Sequence, residues 1–208
     1  MKKLIFTLTA TLACVAAFAQ GRINFVNDSI HLVYFTSDTN SLRAGDAALA
    51  GTGPTTASAL VADLFAGTSA SSLTLQKSTT FSIVPGKWTA ANTILAAGIP
   101  GGVPQFFQVQ IHDAAAVSAT AAQGSLNQYY GFGQVFTAVP NSGSIAYNSL
   151  TAHVAPANST WNDGTFVMDQ YGVGSRGAIV VQANVPEPTS FALAGLGAAA
   201  LFIFRRRK

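Results

Sequence analysis

Gln105-Phe106-Phe107-Gln108-Val109-Gln110-Ile111-His112 is the stretch that sets the fold class. Phe107, Val109 and Ile111 alternate with Gln108, Gln110 and His112, and a period of two places successive side chains on opposite faces of a strand. One face is apolar and the other polar, so this strand belongs to a sheet buried on one side only. Each apolar side chain withdrawn from water contributes about 1.5–3 kcal/mol. A charge at Val109 is therefore expected to harm the fold more than a charge at Gln110.

Outward from this strand, alternating, β-branched or aromatic runs recur at Arg22–Val26, Ile30–Phe35, Ala59–Phe65, Leu73–Val84, Gln134–Val139, Ser144–Leu150 and Ala178–Ala183. Turn-forming clusters separate them: Asn27-Asp28, Gly51-Thr52-Gly53-Pro54, Pro85-Gly86, Pro100-Gly101-Gly102, Pro140-Asn141-Ser142-Gly143 and Asn162-Asp163-Gly164. The alanine-rich Asp113–Gly124 predicts one short helix, and no longer amphipathic pattern competes. Many short strands with Gly/Pro turns imply an all-β fold: a single antiparallel β-sandwich, Greek-key or jelly-roll-like, over residues 20–184. A body of that length is enough for one domain around one core.

Charge divides the 208-residue chain into three parts. The formal net charge is +3, yet Lys2, Lys3, Arg205, Arg206, Arg207 and Lys208 supply six of the eleven basic residues. Between them lie five basic residues, scattered singly, and all eight acidic ones. Nucleic-acid binding needs clustered cations that displace counterions from phosphates, so no nucleic-acid partner is expected. Charged residues make up 9% of the chain, far below the roughly 25% of an ordinary globular domain, a balance that suits an exported wall or matrix protein. Cys14 is the sole cysteine and falls in the amino-terminal apolar run. The processed body then has no thiol, which excludes disulfides, zinc-thiolate sites and a cysteine nucleophile.

Residues 1–19 have the three parts of a secretory signal peptide: Lys2-Lys3, an apolar run from Leu4 to Phe18, and the small pair Ala17 and Ala19 of an A-x-A site. Signal peptidase is expected to cut before Gln20. Leu12-Ala13-Cys14 partly resembles a lipobox, and lipidation at Cys14 is the rival processing; Thr11 departs from that pattern where Leu is usual.

At the other end, Val185-Pro186-Glu187-Pro188 precedes sixteen uncharged residues, 189–204, and then Arg205-Arg206-Arg207-Lys208. As a helix the sixteen residues span about 24 Å, short of the ~20 residues of a comfortable crossing but sufficient with thinning or snorkelling. The basic tail then anchors on the cytoplasmic side and everything before Thr189 lies outside. The two prolines keep an extended, accessible segment beside the membrane. Val185-Pro186-Glu187-Pro188-Thr189-Ser190, the short Ala/Leu/Gly-rich helix and the terminal Arg cluster together resemble the PEP-CTERM sorting signal. That resemblance implies an exosortase of Gram-negative bacteria as partner, cutting at Pro186, Glu187 and Pro188 an inner-membrane-anchored precursor bound for the cell surface or extracellular matrix. It also implies a setting of exopolysaccharide production and biofilm. More loosely, Gly21–Asn27, Ala59–Gly67, Phe107–Asp113, Tyr130-Gly131-Phe132-Gly133 and Val135-Phe136-Thr137 resemble uncharacterised PEP-CTERM proteins common in Verrucomicrobia-like bacteria. His112-Asp113 stands where those sequences more often have Trp-Asp, and the likeness brings no known activity.

Signals for chemistry are few. Gly172-Val173-Gly174-Ser175-Arg176-Gly177 has G-x-G-x-x-G spacing, but a strand-like Ala178-Ile179-Val180-Val181-Gln182 follows where a dinucleotide site needs a helix. A hairpin is the expected reading. His31, His112 and His153 are dispersed, so no metal site and no cofactor are expected. Glu187 is the only glutamate and lies in the sorting motif, leaving Asp163 and Asp169 as the nearest carboxylate pair for hydrolysis. Asn158, Asn162, Asp163 and Asp169 offer oxygen ligands for calcium without the EF-hand order. The expected function is a non-enzymatic structural or adhesive surface protein. The alternatives are a carbohydrate-binding module whose sugar contacts are Trp88 and Trp161, and a secreted hydrolase.

Overall fold

The computed structural model describes residues 20–28, 31–143, 145–151, 159–161, 179–185 and 196. Among the described residues ten strands form: β1 (Arg22–Phe25), β2 (Val33–Phe35), β3 (Leu60–Gly67), β4 (Thr74–Thr80), β5 (Ala91–Ile94), β6 (Gln105–Asp113), β7 (Tyr129–Phe132), β8 (Phe136–Ala138), β9 (Asn148–Ser149) and β10 (Ile179–Ala183). A short helix, α1 (Ala119–Gln123), links β6 to β7, and Ser118 caps it by accepting the Ala121 amide. It falls inside the alanine-rich stretch where one was expected.

Two open sheets result. The smaller has the order β5-β1-β9, and the larger β2-β10-β7-β6-β3-β4 with β8 also beside β6. The mostly-β expectation holds and most pairings are antiparallel, but not all: β1–β9 and β10–β2 run parallel. The reason lies in the connections. The short hairpin between β3 and β4 forces antiparallel pairing, whereas β2 and β10 meet across more than a hundred residues that impose no direction.

Strand β6 is the spine of the larger sheet. All eight residues Leu60–Gly67 of β3 pair with it along one edge. On its other edge β8 takes the first part and β7 the last. Phe107, Val109 and Ile111 are buried on the inner face together with Leu60, Ala62, Leu64 and Ala66 of β3. Ile23 and Phe25 from the smaller sheet join the same core. Gln108 and Gln110 face outward, half-buried, as the alternation requires, and Gln110 donates to the Gln108 side chain at 2.9 Å.

Two strands escape the sequence pattern. Ala91–Ile94 has no apolar alternation, because Thr93 takes the inward position. Tyr129–Phe132 is interrupted by Gly131, a turn-former by habit. Here the glycine serves close approach instead, since a Cβ would sit 2.7 Å from the Val180 carbonyl oxygen of β10. The expected strand Leu73–Val84 stops at Thr80, and a tight turn follows in which Phe81 bridges to Trp88 and Gly86 adopts φ +75°.

Candidate functional site

The sorting signal read from sequence begins just after the last described strand, β10. β10 is flanked on both sides, by β2 and β7, so the last strand among the described residues is an interior one. Beyond it the Asn184 carbonyl accepts from the Asn127 amide at 3.0 Å and its side chain donates to the Gln123 carbonyl at 2.9 Å. Val185 packs against the core. Pro186, the next residue, lies outside the described residues, as do Glu187, Pro188, Arg205, Arg206, Arg207 and Lys208. Among the described residues no helix is long and apolar enough to cross a membrane. The stretch 189–204 lies outside them except for Leu196.

The other terminus is also integrated. Gln20 bridges to Pro100, and the Gly21 amide donates to the Ile99 carbonyl at 2.9 Å. Residues 1–19, with Ala17 and Ala19 of the expected signal-peptidase site, lie outside the described residues.

Trp88 and Trp161 require a correction. They are 2% and 1% exposed, stacked on each other at 6.2 Å between ring centroids. Phe25 lies 4.9 Å from Trp88 and Phe136 4.7 Å from Trp161. Aromatic area of this size gains more in a core than in water, and two rings consumed by such a ladder leave no face for a sugar. The expected sugar contact at these residues is therefore overturned.

The histidines are committed as well. His112 sits on the outer face of β6 yet is 5% exposed. Its Nε2 meets Asp63 Oδ2 at 3.1 Å and its Nδ1 meets the Asp113 carbonyl at 2.8 Å. His31 Nδ1 meets Asp28 Oδ1 at 2.6 Å, and its Nε2 meets the Trp161 carbonyl at 3.2 Å. A general base needs a ring nitrogen within reach of substrate, and both nitrogens of both rings face protein oxygens. His153 lies outside the described residues, as do Asn158, Asn162, Asp163, Asp169 and Gly172–Gly177. Among the described residues no group of three or more His, Cys, Asp or Glu could hold a metal ion.

One polar cluster was not singled out from the sequence. At the carboxy-terminal end of β6, the Arg43 guanidinium pairs with Asp113 and lies over the Tyr129 ring, 4.2 Å from its centroid. The Tyr129 hydroxyl donates to Asp46 Oδ2 at 2.7 Å. Burial, with the Asp46 hydrogen bond adding to it, pushes the phenol up to about 12. Asp63 Oδ1 is buried with no hydrogen-bond partner. A clue was present: Asp63 interrupts the apolar run Leu60-Val61-Ala62-Asp63-Leu64-Phe65, and a carboxylate in a buried strand needs a partner. That the partner is His112 only strand pairing reveals. Ionic, cation–π and hydrogen-bond contacts together tie the loop carrying Arg43 and Asp46 to the ends of β6 and β7, a bracing role.

Residues 184–208 match the family model of the PEP-CTERM protein-sorting motif. No curated protein and no solved structure matches the chain. The likeness of the body to Verrucomicrobia-like proteins gains no relative from these comparisons.

Proposed function

We propose that the chain is an exported precursor, held in the membrane by its carboxy-terminal segment and cut by an exosortase at Pro186-Glu187-Pro188. The mature body, 20–184, then serves at the cell surface or in the extracellular matrix of a Gram-negative bacterium as a structural or adhesive protein and not as an enzyme. The observation that carries this reading is the sorting-motif match over 184–208. Order within the tail supports it: a rigid proline pair, sixteen uncharged residues and four cations, the sequence of parts that leaves the basic end in the cytoplasm.

The described fold is compatible with such a cut. Among the described residues every buried core residue precedes Asn184, so none of them lies beyond a cut within 186–188. The domain keeps β10 and the Asn184 hydrogen bonds. A non-catalytic role is favoured by the occupied nitrogens of His31 and His112 and by the scarcity of ionisable side chains in the body. An adhesive part in exopolysaccharide or biofilm is the finer reading that the sorting signal suggests.

The test is Pro186-Glu187-Pro188→Ala-Ala-Ala, alongside a strain lacking exosortase. Both should accumulate uncut precursor in the membrane fraction. Mass spectrometry of the mature termini should find Gln20 first and a carboxy terminus near Val185. Normal maturation in both strains would remove the sorting reading.

A further inference from the structure

We infer that the segment Ala114–Gln128 is a lipid-contacting cap, through which the tethered precursor rests on the outer surface of the bilayer. The inference builds on the reading that 189–204 anchors the chain in the membrane.

The chain's exit fixes which end of the domain faces the membrane. β10 runs parallel to β6, because both are antiparallel to β7. Its last residue, Ala183, pairs with Tyr129, and β6, whose His112 pairs with Tyr130, ends at the same level with Asp113. The chain thus leaves the domain at the end of the sheet that carries α1 and its flanking loops. Asn184 is bonded directly to that cap, through the Gln123 carbonyl and the Asn127 amide. From Val185 to the first residue of the uncharged run, Thr189, only three residues intervene, a reach of at most about 14 Å over four steps. This end therefore stays near the lipid headgroups as long as the tail is uncut.

The cap has the chemistry for that location. None of the fifteen residues Ala114–Gln128 is ionisable, so contact with headgroups and acyl chains strips water from no charge. Val117 is 90% exposed and Leu126 60%, two apolar side chains projecting at the exit end. Ala119 and Ala122 turn inward, so α1 is held to the domain while its flanks face outward. Of the acidic residues described at this end, Asp113 is paired with Arg43 and Asp46 accepts from Tyr129. An uncharged cap with two protruding apolar residues fits a bilayer surface, and its contact should depend neither on anionic lipid nor on salt.

Fluorophore labelling of the full chain tests this. Cys14 is replaced by Ser, and Val117→Cys, Leu126→Cys and Ser71→Cys are labelled singly and reconstituted into phosphatidylcholine vesicles. Ser71 lies in the β3–β4 turn, at the opposite end of β6, whose nine residues span about 30 Å. Insertion of a surface segment reaches about 5–10 Å, so the Ser71 position is out of range. Labels at 117 and 126 should be quenched by spin-labelled lipid, with Ser71 quenched only by aqueous iodide, at low and high salt alike. A vesicle-bound chain whose 117 and 126 labels are as open to iodide as 71 overturns the cap while leaving the anchor standing. Quenching that appears only when exosortase is added reassigns the surface to the enzyme and overturns it equally. A chain that fails to float with vesicles removes the anchor, and the cap falls with it.

Discussion

Lysine substituted at Val109 and at Gln110 probes the face assignment of β6 with neighbouring residues of opposite orientation. Val109 is 1% exposed and opposes Leu64 across the β3 pairing. Val109→Lys forfeits about 1.5–3 kcal/mol of apolar burial and leaves an ammonium with no counter-charge in the core, a further several kcal/mol. The sum approaches the 5–15 kcal/mol that holds an ordinary domain folded. Gln110 loses a single side-chain hydrogen bond, about 1 kcal/mol. Its cross-strand neighbour is Asp63, whose Oδ1 has no partner, so a lysine there gains a carboxylate within reach. Intrinsic tryptophan emission is the natural assay, because Trp88 and Trp161 are both core residues and unfolding moves their emission to the red. In urea titrations Gln110→Lys should unfold within about 1 kcal/mol of the parent, while Val109→Lys should already emit as unfolded without urea. Equal destabilisation by the two substitutions would refute the assignment of inner and outer faces.

Asn27 is a second test of packing. It is 3% exposed, donates to the carbonyls of His31 and Gly86 at 2.9 Å each, and accepts from the Trp88 amide at 3.2 Å. Asn27→Ala removes three buried hydrogen bonds, although the Gly86 carbonyl keeps the Val33 amide, and should cost about 2–4 kcal/mol, seen as a lower melting temperature, whereas substitutions at exposed Ser71 should leave it unchanged. Tyr129 sets an alkaline limit. Its folded pKa is raised from 10.0 to about 12, so above pH 10 the unfolded phenol releases its proton first. The stabilisation present below pH 10 is then lost as pH rises towards 12. Tyr129→Phe should abolish that pH-dependent loss, read as the slope of melting temperature against pH between 10 and 12.

Local information settled the class of this fold. The two-residue alternation of Gln105–His112 gave both a strand and its buried face, because side-chain direction along a strand depends only on the parity of position. The sorting tail was legible for a similar reason: a proline pair, an apolar run and a basic cluster act through their order in one short segment. The pairing of β10 parallel to β2 was beyond such reading, since partner choice across more than a hundred residues is made by the assembled core. Tertiary structure also decided the fate of the aromatic and ionisable side chains. Trp88 and Trp161 have the chemistry of a sugar platform or of a core, and only the stacking with Phe25 and Phe136 selects the core. The Asp63–His112 pair and the Arg43–Asp113–Tyr129–Asp46 brace exist because cross-strand register brings distant residues together, and register is a property of the folded sheet.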